Sequence, residues 1–345
     1  MAIRDDINTG SDIVIRSRVR LARNIAAYPF PSKMNDEQYR EVLDKVRIAV
    51  TEDSGSKRFG YRFYDMQKMS KDEKQLLVEK QLISPDLAAK KYPCGALVNS
   101  DETVSIMVNE EDHIRIQCLL FGMGILRAKE VCFEIDSMLE KYFDFAFSAQ
   151  FGYLTSCPTN IGTAIRASVL MHLPAITMCN NIPKLLETLS KLGITVRGMF
   201  GENTQAKGNL FQISNQVTLG QSEDEIISSM MNVVSQVKES ENSLRKEVRA
   251  QNRADFDDSV FRAFGVLTNA RKMSADESLG LISMVRMGAD MGIIEKVKMD
   301  TLNKLMYLVQ PAILRRHTCS NDITNEDILR ATMVREHLRK PGKDE

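Results

Sequence analysis

RSRVRLAR, residues 16–23, holds four arginines in eight positions. Side chains alternate between faces along a strand, so Arg16, Arg18 and Arg20 project from one face. Ile13, Ile15, Val19 and Leu21 point the other way, toward a core. Three cations along one strand face repel each other unless an anion lies between them. Guanidinium forks match phosphate oxygens, which makes a polyphosphate the natural guest. Taken alone, the stretch fits equally well a solvated basic edge strand that blocks aggregation, and less well a nucleic-acid patch.

The rest of the chain narrows the choice. Its 345 residues carry 46 basic and 46 acidic side chains, a formal net charge of zero. A general nucleic-acid or membrane binder normally needs an excess of Lys and Arg, so no direct nucleic-acid binding and no membrane association are expected. No uninterrupted apolar run is long enough to span a bilayer. The opening MAIRDDINTG is charged and polar and reads as no secretory signal. Six cysteines (94, 118, 132, 157, 179 and 319) are scattered without a CxxC pair. That pattern argues against a disulfide framework or zinc site and for a reducing, cytoplasmic location. There is no GxxxxGK[ST], so any nucleotide chemistry does not use a P-loop.

Up to about residue 235, strand and helix patterns mix. DIVIRSRVRLA and TVSIMVNEEDHIRIQ alternate, and NLFQISNQVTLG reads as a strand leaving a glycine-containing loop. DEQYREVLDKVRIAV and TAIRASVLMHL read as helices. From about residue 222 the pattern is almost wholly helical, with SEDEIISSMMNVVSQVKESENSLRKEVRAQNR as one long helix. SADESLGLISMVRMGADMGI opens on a serine and an acidic first turn, a good helix start. The expected fold class is α+β. A mainly antiparallel sheet flanked by helices (residues 1–245) is followed by a helical C-terminal domain (residues 246–345).

Three further stretches carry chemistry. In MVNEEDHIRIQ, read as one strand, Asn109, Glu111, His113 and Arg115 share a face and could hold a cationic and an anionic group together. The bland alternative is a polar strand end with a packed His113. In TSCPTNIGTAIR, Cys157 precedes a helix start, where positive potential favours thiolate, and Arg166 falls two turns into that helix. A small buried cysteine is the alternative. RGMFGENTQAKGNLFQISN is a long loop carrying Arg197 and Glu202, of the kind that closes over a ligand or simply lies on the surface.

Taken in order, SRVR, NEEDHIR, CPTNIGTAIR, RGMFGE and FQISN resemble the phosphagen (guanidino) kinases, and among them the bacterial protein-arginine kinase branch. The resemblance covers most of residues 12–240. It implies a phosphagen-kinase-type catalytic domain and ATP- and Mg²⁺-dependent phosphorylation of a guanidinium nitrogen. Carried over position by position, the ATP-binding blocks are Arg16, Ser17, Arg18, Val19 and Arg20; Gln81; Arg115; Arg166, Ala167, Ser168, Val169 and Leu170; and Arg197, Gly198, Met199, Phe200 and Gly201. Within them Arg18, Arg20, Arg115, Arg166 and Arg197 would cage the phosphates. Glu111 would match the carboxylate that grips the acceptor and removes its proton, Glu202 the second gripping carboxylate, and Cys157 the thiolate beside the acceptor nitrogen. In the family Mg²⁺ is held mainly by nucleotide and water, so no protein metal ligand is expected. Two positions depart from the pattern. Arg16 stands where relatives usually have Ser, and Gln81 where they have a nucleotide-touching His.

Only fifteen residues precede the arginine block. The animal enzymes carry a helical domain there that helps enclose a small substrate. The open site implied here suits an arginine on a protein. The resemblance also implies a phosphoarginine pocket marked RDxxRA. Here the stretch is EDILRA, with Asp327 and Arg330 present but Glu326 at the first Arg, where a carboxylate repels a phosphoryl group. The same resemblance implies protein substrates with exposed arginines, a transcriptional repressor among them. It also implies a zinc-binding activator protein, a Clp-type chaperone–protease downstream, a link to stress response and regulated proteolysis, and a homodimer. The alternatives are a kinase for free arginine or another small guanidino compound, and a non-catalytic regulator that binds phosphoarginine or nucleic acid.

Overall fold

Alternation in RSRVRLAR produces a central strand because its apolar half is buried against helices on one side of a sheet. The computed structural model describes residues 13–199, 206–318 and 325–339. The chain runs β1 (Val14–Arg23), α1 (Asp36–Glu52), β2 (Arg62–Asp65), α2 (Lys71–Glu79), α3 (Pro85–Ala89), β3 (Gly95–Val98), β4 (Val104–Val108), β5 (Ile114–Phe121) and α4 (Ile125–Leu139). A short ribbon, β6 (Phe147–Ser148) and β7 (Gly152–Tyr153), leads to β8 (Ile165–His172), α5 (Pro174–Met178), α6 (Ile182–Ser190), β9 (Ile194–Gly198) and β10 (Leu210–Asn215). Six helices follow: α7 (Glu223–Gln251), α8 (Arg253–Asn269), α9 (Ala275–Asp290), α10 (Met299–Leu308), α11 (Pro311–Thr318) and α12 (Glu326–Arg339).

Eight strands form one sheet in the order β2-β3-β4-β5-β1-β8-β10-β9, with every neighbouring pair antiparallel. One face is apolar. Val19, Leu21, Ile116, Cys118, Ala167, Val169 and Ile213 pack there against α1, α4, α6 and α7. The other face carries the polar residues and looks toward the C-terminal helices, which have their own apolar cluster. Sequence signals place the helix starts well. Asn35, Ser70 and Ser222 cap α1, α2 and α7 with reciprocal capping boxes, and Ser274 caps α9.

Three readings change. TAIRASVLMHL is not a helix but β8, because its apolar residues alternate and both its edges are paired, with β1 and β10. TVSIMVNEEDHIRIQ is not one strand but the β4–β5 hairpin, with Asn109–His113 as the connection and Asn109 at φ +59°. Ile15 does not join the core with Val19 and Leu21. A bulge between Val14 and Arg16 breaks the alternation and sends Ile15 into the C-terminal cluster with Leu170 and Leu210.

The two halves are fastened together. Glu79 of α2 accepts the N–H groups of Ala312 and Ile313 at the start of α11, at 2.8 and 3.0 Å. A carboxylate there satisfies donors that a helix start leaves open.

Candidate active site

The polar sheet face gathers arginines from separate strands. Arg20 of β1 sits opposite Gln117 of β5 and Arg166 of β8, and Arg18 sits opposite Ser168. Arg115 lies on β5, and Arg197 lies on β9 opposite Gln212 of β10. Arg18 donates to Gln212 Oε1 at 2.9 Å. Burial, then repulsion from Arg115, Arg166 and Arg16, lowers Arg18 to about 9. Burial and the neighbouring cations also push Arg20 well down. Arg166 is lowered by burial, Arg115 and Arg197, and is held up by Cys157 and Glu111. Cations crowded in this way favour a polyanion among them. A cavity of about 630 Å³ opens over this face, lined by Arg18, Arg20, Arg115, Gln81, Gln117 and Met199 and closed by residues of α9 and α11.

The hairpin connection brings the carboxylates to the edge of the cage. Arg115 donates through one nitrogen to both oxygens of buried Glu110, at 2.7 and 2.8 Å. Burial alone would raise the Glu110 carboxyl. Arg115, Ser84 and the Glu111 N–H outweigh it and hold the carboxyl low. Glu111, at the tip, is exposed. Partial burial and repulsion from Asp112 and Glu110 raise its carboxyl above the usual range. Buried Asp112 accepts from Asn24 at 2.6 Å and from the Ser156 N–H at 2.7 Å. Asp112 therefore ties the Glu111 connection to the loop holding Cys157. Cys157 Sγ lies 3.0 Å from Thr159 Oγ1. The turn after Cys157 is a three-residue 3₁₀ turn, Pro158–Asn160. The helix-terminus argument for a thiolate falls with the helix itself. Electrostatics near Cys157 come instead from Arg166.

His113 is structural. Its Nδ1 accepts the Ile25 N–H at 3.0 Å and its Nε2 meets the Pro29 carbonyl at 2.9 Å. Arg23 is structural too. It is buried, pairs with Asp136 at 2.6 Å and lies over the Tyr153 ring at 3.5 Å. Arg16 lies against the rings of Phe121 and Tyr307, at 4.9 and 5.1 Å, and is still near enough to repel Arg18. Ser17 faces the helices, where its hydroxyl donates to the Gly122 carbonyl and accepts the Gly124 N–H at the start of α4. Val19, Ala167 and Val169 share that apolar face, and Leu170 enters the C-terminal cluster. Ser168 donates to the Arg18 carbonyl at 3.4 Å. Gln81, at φ +60°, offers its carbonyl to Gln117 at 2.7 Å. Gly198 ends β9, and Met199 lines the cavity. Phe200, Gly201 and Glu202 lie outside the described residues.

Glu110, Gln117, Gln212 and Lys207 are site residues that the sequence reading passed over. Strict alternation put Glu110 on the face opposite Glu111 and Arg115. Only the hairpin turns it toward Arg115.

In the C-terminal helices, Arg330 is buried and fully engaged. It donates to the carbonyls of Val309 and Met273 at 2.9 and 3.0 Å and to Asp327 at 2.6 Å. Glu326 pairs with Arg315 and approaches Arg330 at 3.7 Å.

The comparisons agree with this geometry. Residues 41–244 match the family model described as ATP:guanido phosphotransferase, C-terminal catalytic domain, and residues 253–345 match the Protein-arginine kinase McsB C-terminal domain. The solved lombricine kinase superposes with a TM-score of 0.61 at 23% identity, over 71% of this chain and 70% of that one. The substrate-free duplicated taurocyamine kinase from Schistosoma mansoni gives 0.59 at 26% identity over 69% of this chain, which spans only 36% of its length. The chain belongs to the ATP:guanido phosphotransferase family, in its protein-arginine kinase branch. Within that branch it is 45% identical to the protein-arginine kinase of Desulforamulus reducens, over 95% of this chain and 92% of the relative. It is 42% identical to that of Bacillus subtilis, over 96% and 92%.

Proposed function

We propose that this protein is an ATP-dependent protein-arginine kinase. The observation that carries the reading is the convergence of Arg18, Arg20, Arg115 and Arg166 on one sheet face, the first three lining the cavity, with Glu111 and Cys157 near enough to act on Arg166. The arginines, with Arg197, hold the triphosphate and neutralise the charge that grows as the γ-phosphoryl leaves ADP. An acceptor guanidinium is a poor nucleophile, being delocalised and protonated. Glu111, raised above the ordinary carboxylate range, orients it and takes its proton as the N–P bond forms and the bond to ADP breaks. Glu202 is the second gripping carboxylate and Cys157 adds negative charge beside the acceptor nitrogen. Of the remaining ATP-binding assignments, Ser168, Gln81 and Met199 border the nucleotide.

Among the described residues no group of three or more His, Cys, Asp or Glu side chains is placed to hold a metal. The family resemblance brings Mg²⁺ in as part of the MgATP substrate, where it would screen the phosphates. The division at residue 245 falls inside α7, while the chain is all-helical from Glu223 onward. Among the described residues no helix is long and apolar enough to cross a membrane. Five described cysteines are free, in keeping with a cytoplasmic location. A repressor substrate, a zinc-binding activator, a Clp-type protease, a homodimer and a role in stress response are supported by family resemblance alone. So is the phosphoarginine role of Asp327 and Arg330, which their internal bonds count against.

The test is incubation with MgATP and an arginine-rich protein, then mass spectrometry for acid-labile phosphate on arginine. The expected result is labelling that Glu111→Gln slows by roughly 10²–10⁴-fold. Turnover of free arginine with no protein labelling would overturn the reading.

A further inference from the structure

The connection between β9 and β10 returns to the sheet through the 3₁₀ turn Lys207–Asn209. Helix α9 meets it with Asp276, Leu279 and Ser283, whose spacing of three and four residues puts them on one helix face, which Arg286 continues. Lys207 Nζ pairs with Asp276 at 2.8 Å. Gly208, at φ +62°, lies so close that an added Cβ would stand 3.3 Å from Leu279. Asn209 Nδ2 donates to Ser283 Oγ at 2.8 Å.

Ser283 is fully buried, and its Oγ is also 2.7 Å from Nε2 of His172, the last residue of β8. His172 Nδ1 faces Arg286 at 2.8 Å and Arg245 at 3.4 Å. Guanidinium groups only donate, so Nδ1 accepts and Nε2 carries the hydrogen. The Ser283 oxygen thus accepts two bonds, one from His172 at the end of β8 and one from Asn209 at the start of β10. Behind it Arg245 is held by Glu241 and Asp290, and Glu241 accepts the N–H groups of Ala175 and Ile176 at 3.0 Å. Two cations meet two carboxylates, so the buried network is charge-balanced. The other end of the stripe opens into the active-site cavity, where Lys207, Asp276 and Leu279 join Arg18, Arg20 and Arg115 in the lining.

We propose that this face of α9 is the seat of the Lys207–Asn209 turn, and that Ser283 is a positioning residue that sets Lys207 against the nucleotide phosphates. The proposal rests on reading the cavity as the nucleotide site. It makes the helical region a wall of the catalytic centre.

Full-length Ser283→Ala and Asp276→Ala variants test it by hydrogen exchange and ADP titration. Asp276 is on the surface, so its loss does not threaten folding. Removing one such bond is expected to speed exchange over residues 206–215 by roughly 3- to 10-fold and to weaken ADP by a similar factor, with residues 125–139 unchanged. Asp258→Ala, which removes an exposed pair with Arg262 on α8, should alter neither. Unchanged exchange over 206–215 in Asp276→Ala overturns the seat. Faster exchange spread equally over 125–139 overturns it as well. Faster local exchange with unaltered ADP affinity overturns the positioning role. If the unmodified protein binds no ADP, the nucleotide reading fails, while the exchange result still decides the seat.

Discussion

Arg115 gives one guanidinium nitrogen to both carboxylate oxygens of Glu110, at 2.7 and 2.8 Å, at the edge of the cavity where the other arginines meet. Glu110 thereby supplies the anion that the cage needs before a phosphate arrives. The Glu110→Gln variant should lose roughly 1–3 kcal/mol of stability without nucleotide, because a half-buried cation is left short of its partner. Saturating ATP brings its own negative charge and should restore part of that loss. Thermal melts with and without ATP check this: the variant's nucleotide-induced shift should exceed that of the unmodified protein. Equal shifts would mean that Glu110 plays no such part.

Arg20 is held against its charge by burial and by Arg18, Arg115 and Arg166. Replacing it with Gln relieves that repulsion. The Arg20→Gln protein should melt no lower than the parent without ligand, yet kcat/KM for ATP should fall by roughly 10²–10³-fold. A large loss of apo stability would contradict the strained-cage picture.

Glu111 must be ionised to accept a proton, and burial with Asp112 and Glu110 beside it raises its carboxyl. Activity should therefore fall on acidification through an apparent pKa above the ordinary glutamate value of about 4.3. Glu111→Gln should lower kcat by roughly 10²–10⁴-fold and flatten that acid limb. A pH–rate profile of both proteins decides. An unchanged acid limb in the residual activity assigns it to another group.

Two buried histidines make the fold acid-sensitive. Burial lowers His113 to about 4, against its bond to the Pro29 carbonyl, and burial with Arg286 and Arg245 pushes His172 well down. In the unfolded chain each ring titrates near ~6.5. Below that pH the unfolded chain takes up protons that the fold refuses, so stability falls as pH drops from about 6.5 toward 4. The loss by pH 5 should reach up to about 2 kcal/mol per ring. Urea melts at pH 7.5 and pH 5 measure it, and His113→Gln should shrink the difference.

Much of the site was legible because its parts are local. The alternation around Arg18 and Arg20 is a property of any strand, and Asn35, Ser70, Ser222 and Ser274 announce helix starts by bonds within a single turn. The ordered motif blocks gave the family. The errors share a cause. TAIRASVLMHL has enough apolar residues for either element, and pairing on both edges by β1 and β10 settled it as a strand. The NEEDH stretch continued an alternating pattern on paper, but Asn109 at φ +59° folds it back.

Local physics was thus enough for the arginine strand, the helix caps and the all-helical second half. Packing between distant segments chose the rest. It set the Arg16 guanidinium against the rings of Phe121 and Tyr307. It engaged Arg115 with Glu110, and it brought Ser283 of α9 to the ends of β8 and β10. Alternation and capping depend on neighbours a few residues away, so they can be read along the chain. The partner of a buried charge depends on which strands and helices meet, and that emerges only when the two apolar clusters have closed around the sheet.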